Sequence, residues 1–141
     1  MTVTVKKIAL WRREVDNRPG VLASTLEPLA QAKANLKLVM GYRLPGQESR
    51  AALEVHPVAG KKAMVAAQEA GLAASMIPTL LVEGVNRPGL GHAIAKAIAD
   101  ANINLSFVLA QVVGPRYSAV FGFENESDAN RAAGRVRKAF R

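Results

Sequence analysis

The sequence predicts an α+β fold made twice: two ferredoxin-like β-α-β-β-α-β modules in tandem, each an antiparallel sheet with its helices on one face. Three observations carry this. The tetrapeptide Asn-Arg-Pro-Gly stands at 17–20 and again at 86–89, 69 positions apart in a chain of 141 residues. The match runs on at the same offset, pairing Ala30 with Ala99, Ala32 with Ala101, Asn35 with Asn104 and Leu36 with Leu105. In both copies the apolar spacing switches in one order, from alternation to helical periodicity and back. So long a period suits a small domain repeated once rather than a solenoid unit, and it sets modules at 1–75 and 76–141. Beyond Gly46 and Gly114 the register drifts by about one residue, which a turn of different length explains.

In the first copy, residues 6–15 read as a strand in which Ile8 and Leu10 alternate with Ala9 and Trp11. The Asn-Arg-Pro-Gly turn follows, then a helix over 20–33 with Leu22, Leu26, Leu29 and Ala30 on one face. Lys33 suits the negative end of that helix, and Asn35 suits its stop. Leu36, Leu38 and Met40 give a second strand, 44–47 a turn, and Ala51, Leu53 and Val55 a third strand. An Ala-rich helix over 59–70 ends at Gly71, and 72–77 closes the sheet. The second copy repeats the order: a strand over Thr79–Glu83, a helix over Gly89–Ala101, and a strand with Leu105, Phe107, Leu109 and Val113 in alternation. After Gly114-Pro115, Tyr117, Ala119, Phe121 and Phe123 line one strand face, and 126–139 form the last helix. Strands joined by a tight turn are antiparallel, and the strand–helix–strand crossover is right-handed. Together they make the split β-α-β arrangement.

Composition excludes several classes of function. Half the residues are apolar but only 5% aromatic, so the core is built from Ala, Val, Leu and Ile. Without cysteine there are no disulfides, no thiol catalysis and no thiolate metal sites. The two histidines, His56 and His92, do not suffice for a multi-histidine metal site within one chain. The first residues, MTVTVKKIALWRREV, lack the apolar core of a secretory signal, and no stretch approaches the length of a membrane helix. A cytoplasmic protein is the expectation. No catalytic triad spacing and no phosphate loop occurs; Gly89-x-Gly91 is too short, and Glu124, Glu126 and Asp128 read as helix N-terminal charges. We expect no catalysis and no cofactor. The net charge of +8 attracts anions in general. Its densest run, Arg131, Arg135, Arg137, Lys138 and Arg141, reads as a solvated helix face.

The repeated turn is where ligand chemistry concentrates. Proline fixes φ without spoiling a first helical turn, and it pushes Arg18 and Arg87 toward extended geometry. Gly20 and Gly89 let another group approach the backbone. The opening amides of the helix then offer partial positive charge to a carboxylate. Asn17 and Asn86 sit beside this turn, and Asn35 and Asn104 follow 18 residues later, where the pair could converge on the two ends of an amino acid. The alternative is a capping turn with no ligand, with Asn35 a left-handed stop. In the second copy Asn102 already fills that stop, which leaves Asn104 less easily explained.

Residues 16–40 and 85–111 resemble the first half of an ACT domain, and the resemblance covers nearly the whole chain as a tandem pair. It implies a small amino-acid-binding regulatory module of ferredoxin-like fold. The pattern is similar to the serine-sensing ACT domain of phosphoglycerate dehydrogenase, in which a His-x-Asn-x-Pro-Gly turn and an Asn at the next strand contact the ligand. Asn17 with Asn35, and Asn86 with Asn104, fall on the asparagine positions; the histidine position is Val15 in one copy and Gly84 in the other. The resemblance implies a ligand site in the first copy at Asp16, Asn17, Arg18, Pro19, Gly20, Val21, Leu22 and Asn35. In the second it implies Asn86, Arg87, Pro88, Gly89, Leu90, Gly91, His92 and Asn104. His92 either reaches the ligand or caps the turn, and His56, before a proline at a strand end, is structural.

The expected function is therefore non-catalytic sensing of a free amino acid or similar small carboxylate. The expected partners are a second copy of the chain and a metabolic enzyme or regulator, with no membrane. Two alternatives remain: a basic nucleic-acid-binding module of the same topology, and a ligand-free structural or interaction protein. The first alternative needs aromatics on the central strands. The first copy has none there, and Phe107, Tyr117, Phe121 and Phe123 of the second suit its core.

Overall fold

A computed structural model describes residues 3–141. Its elements in chain order are β1 (Val3–Ile8), β2 (Trp11–Asp16), α1 (Val21–Gln31), β3 (Leu38–Leu44), β4 (Gln47–His56) and α2 (Lys61–Glu69). There follow β5 (Ala73–Ala74), β6 (Thr79–Val85), α3 (Leu90–Ala99), β7 (Leu105–Val113), β8 (Arg116–Phe123) and α4 (Glu126–Ala139). They form two four-stranded antiparallel sheets, ordered β3-β4-β2-β5 and β1-β6-β8-β7. Each is a ferredoxin-like sheet with two helices, as the apolar periodicity predicts.

The expected strand over 6–15 is two strands. β4 ends at His56, one residue past the partner of Trp11, and β5 supplies only Ala73–Ala74, so the first sheet offers no ladder for a continuation before Trp11. The chain breaks at Ala9–Leu10, and β1 pairs along the whole of β6 instead, from Val3 opposite Gly84 to Ile8 opposite Thr79. Among the described residues the compact units are therefore Ala9–Ser75 and the remainder, residues 3–8 with 76–141, which differs from a division at 1–75 and 76–141. The first copy is inserted into the second, and β1 fills in the second sheet the place that β5 fills in the first. The first copy's closing strand shrinks from 72–77 to the two residues of β5.

The unit holding the second copy has one continuous apolar core. The alternation Tyr117, Ala119, Phe121, Phe123 packs with Leu80 and Val82 against Leu90, Ile94 and Ile98 of α3 and Ala129, Ala133 and Val136 of α4. The first copy has two smaller clusters. Leu29 and Val55 pack with Ala66, Ala67, Ala70 and Leu72, while Val15, Val21, Ala51 and Leu53 form the other beneath the start of α1. A further departure lies in β7. A register shift between Leu105 and Phe107 breaks its alternation, so Leu105 faces Phe123 while Phe107 faces Gly122.

The strand pairing also fixes the true alignment of the copies. Val15 lies opposite Ala51, and Gly84 opposite Tyr117. The third strands therefore align 66 positions apart, and the first copy's hairpin is longer by three residues rather than one. Its ladder shifts at Arg43/Leu44 to accommodate them.

Candidate functional site

Both Asn-Arg-Pro-Gly segments form the same turn. Val21 N–H donates to Arg18 O at 3.4 Å, and Leu90 N–H to Arg87 O at 3.2 Å. Gly20 has φ 88° and ψ −11°, and Gly89 has φ 84° and ψ 0°. Proline followed by a left-handed glycine is a type II turn. The glycines serve this positive φ rather than a close approach, since nothing lies within 4 Å of the position a Cβ would take on either. No side chain caps α1 or α3. The first intrahelical donors are Ser24, to Gly20 O, and Ala93, to Gly89 O. The amides of Leu22 and Ala23, and of Gly91 and His92, lie ahead of them.

Asn17 is held firmly. Its N–H donates to Ser49 O at 2.8 Å, and its Nδ2 donates to Glu48 O at 3.3 Å. Asn86 N–H makes the matching bond to Pro115 O at 2.8 Å. Beside the first turn, Asp16 accepts from Arg50 Nη1 at 2.8 Å across β2 and β4. The second copy has Val85 opposite Arg116 there and no such pair.

A cleft of about 410 Å³ opens at the first turn. Asn17, Arg18, Gly20, Val21 and Leu22 form one wall; Gly41, Tyr42, Arg43, Ala51 and Leu53 form the other. It holds two arginines and no carboxylate among its lining residues. Asn35 lies elsewhere, on a second cleft of about 440 Å³ with Lys33, Lys37, Lys61 and Lys62. The structure does not bring Asn17 and Asn35 together. Asn17 bonds to Ser49 and Lys37 to His56, at opposite ends of β4 and roughly 23 Å apart at strand rise. The second copy repeats this, with Asn86 bonded to Pro115 while Leu105 faces Phe123. Nor is Asn35 the helix stop. Lys33 takes the left-handed conformation, φ 59°, just past the end of α1, and Asn102 takes it at the matching place with φ 59°. Ala34 N–H reaches back to Leu29 O, closing the helix in Schellman fashion. His92 is exposed on the first turn of α3. His56 ends β4, and its carbonyl accepts from Lys37 N–H.

Two features escaped the sequence reading. Arg43 reaches the first cleft from β3, and only the strand register puts it beside the turn. The other is a polar group on the sheet face away from the helices: Arg12 donates to Glu14, and Tyr42 donates to the fully buried Glu54 at 2.8 Å. Alternation in RAALEV, which sets Glu54 apart from Leu53 and Val55, was the available signal. Burial raises the Tyr42 pKa, and the bond to Glu54 raises it further. Burial lowers the Arg12 pKa, but the bonds to Glu14 and Tyr42 outweigh it and leave the value raised.

No family model and no curated protein matches the sequence. Solved structures do. A Bacteroides thetaiotaomicron protein matches at TM-score 0.74 and 14% identity over 99% of this chain and 98% of its own. The ligand-free regulatory subunit of aspartate kinase from Thermus thermophilus matches at TM-score 0.61 and 18% identity over 100% and 99%. The same subunit from Thermus flavus matches at TM-score 0.62 and 17% identity over 100% and 98%. The fold is that of ACT-type regulatory domains. The two Thermus neighbours are regulatory subunits. Among the described residues no helix is long and apolar enough to cross a membrane.

Proposed function

We propose that this protein is a non-catalytic sensor of a free amino acid or similar small carboxylate, bound beside the Asn-Arg-Pro-Gly turn and coupled to a metabolic enzyme or regulator. The observation that carries this is the cleft at the first turn, walled by Asn17, Arg18, Arg43 and the first residues of α1, with no acidic side chain lining it. A ligand carboxylate meets the amides of Leu22 and Ala23 and the two guanidinium groups. Because Asn17 Nδ2 is engaged by Glu48 O, its Oδ1 is the acceptor left for an ammonium. Likeness to regulatory subunits supports the regulatory half of this reading.

A second copy of the chain belongs to the same reading. β7 ends its sheet with Val108, Val112 and Val113 exposed, an edge that a second chain would cover. Ligand that favours one assembly over another then shifts the population, which is the regulatory signal. The test is a thermal-shift screen with the twenty amino acids, followed by calorimetry. One or two should raise the melting temperature sharply, and Asn17→Ala should weaken that response while the circular dichroism stays native. A flat response to all twenty would reject the sensor.

A further inference from the structure

The two copies share the turn but not the space beside it. In the first copy the strand position facing the start of α1 is Ala51, which lines the cleft. The aligned position in the second copy is Tyr117, buried to 5% exposure. Its hydroxyl lies 3.5 Å, and its ring 3.9 Å, from where a Cβ on Gly91 would stand, over the first turn of α3. The ring thus lies where the first copy has open space. Its neighbours have shrunk to seat it. Gly84 is directly opposite on β6, where the first copy has Val15, and Gly91 lies beneath it, where the first copy has Leu22. Gly84 thus places no side chain opposite the ring, and at Gly91 even a Cβ would already touch it. The strand position beyond has changed as well: Val112 faces Tyr117, where Arg43 faces Ala51.

We propose that the protein carries one ligand site per chain, in the first copy, and that Tyr117 fills the second copy's equivalent with the chain's own side chain. The exchange of Val15, Leu22, Arg43 and Ala51 for Gly84, Gly91, Val112 and Tyr117 removes one of the two cations and fills the cavity. A packed aromatic ring in place of an open cleft gives the second copy a permanently occupied state. This rests on the sensing reading above and goes beyond it in naming which turn is functional, where the repeated motif alone treats both alike.

The test is isothermal titration of the wild-type chain with whichever of the twenty amino acids stabilises it most, beside four variants. Wild type should bind one molecule per chain. Arg43→Ala should weaken binding at least tenfold, while Val112→Ala, its counterpart, leaves it within twofold. Ala51→Tyr should abolish binding, and Tyr117→Phe, which keeps the ring, should leave both affinity and stoichiometry unchanged. Should Ala51→Tyr fail to fold, the Arg43 and Val112 pair still decides the matter, because both positions are exposed. Two molecules per chain, or a binding loss from Val112→Ala rather than Arg43→Ala, would overturn the assignment while leaving the sensor reading intact. No heat with any amino acid would sink both, and a flat thermal-shift screen would mark that as failure of the sensor reading itself.

Discussion

The first copy is polar and open where the second is apolar and filled. At the core position under the first helix, Arg13 Nη1 donates to Thr25 Oγ1 at 3.0 Å, and Thr25 Oγ1 donates in turn to Val21 O at 2.8 Å. The aligned residues in the second copy are Val82 and Ile94, both fully buried in its continuous core. One backbone plan therefore supports two interiors, one of split clusters with a polar strut and the other of aromatics and branched aliphatics. The lesson is that a repeated turn conserves local geometry, whereas the residues facing it decide whether that geometry encloses a cavity or a side chain.

The largest expected effect tests the packing side of this contrast. Ile94→Ala should cost about 2–5 kcal/mol, because it leaves a cavity in a continuous core. Thr25→Ala at the aligned position removes fewer packed atoms but strands a guanidinium donor, and should cost about 1–3 kcal/mol. Urea denaturation followed by circular dichroism measures both. Equal losses would mean that the two interiors are energetically alike despite their chemistry.

Grafting sharpens the comparison further. Thr25→Ile alone leaves Arg13 without its partner and should lose about 1–3 kcal/mol. Adding Arg13→Val reproduces the second copy's pair and should recover most of that loss, since an apolar replacement for a buried polar pair is often neutral or stabilising. A double variant no better than the single would show that the first copy's smaller clusters cannot accept the second copy's side chains. Smaller again is the surface pair. Asp16→Asn should cost about 0.2–1 kcal/mol and lose that effect in high salt, while Val85→Asp, facing Arg116, should gain up to about 1 kcal/mol. Denaturation midpoints at low and high salt separate these from packing effects.

Much of this architecture was legible because it depends on local chemistry. Proline before a left-handed glycine dictates the turn, and the 3.6-residue spacing of Leu90, Ile94 and Ile98 dictates a helix with one buried face. What stayed hidden depends on pairing at a distance. Nothing in 6–15 reveals that its first half pairs with β6 some seventy residues away, because both halves alternate equally well. Asn17 and Asn35 share a helix in sequence, but a helix separates its ends, so proximity along the chain misled where register along β4 decides. The Ala51–Tyr117 exchange was obscured for a related reason. Three extra residues in the first copy's hairpin displace the third strands, so the 69-residue offset compares the wrong side chains there.

The smallest effect concerns pH, and the chain's two tyrosines fall one in each copy. Burial alone raises the Tyr117 pKa, while burial and the bond to Glu54 raise that of Tyr42, with Arg12 opposing. A phenol whose folded value exceeds its unfolded value of about 10 binds its proton more tightly in the native state. Its contribution is therefore complete below about pH 10 and is lost as pH rises through the raised folded value. At neutral pH neither tyrosine affects stability through ionisation, so the effect is confined to alkaline solution. Absorbance of the phenolate should show both titrating above the ordinary value, and Tyr117→Phe should remove one step while leaving the Tyr42 step in place. Lowering salt should move the Tyr42 step more than the Tyr117 step, because Glu54 and Arg12 act on Tyr42 whereas burial shifts Tyr117. An ordinary midpoint for Tyr117 would mean that its ring is open to water, and the contrast between a filled and an open turn would fail with it.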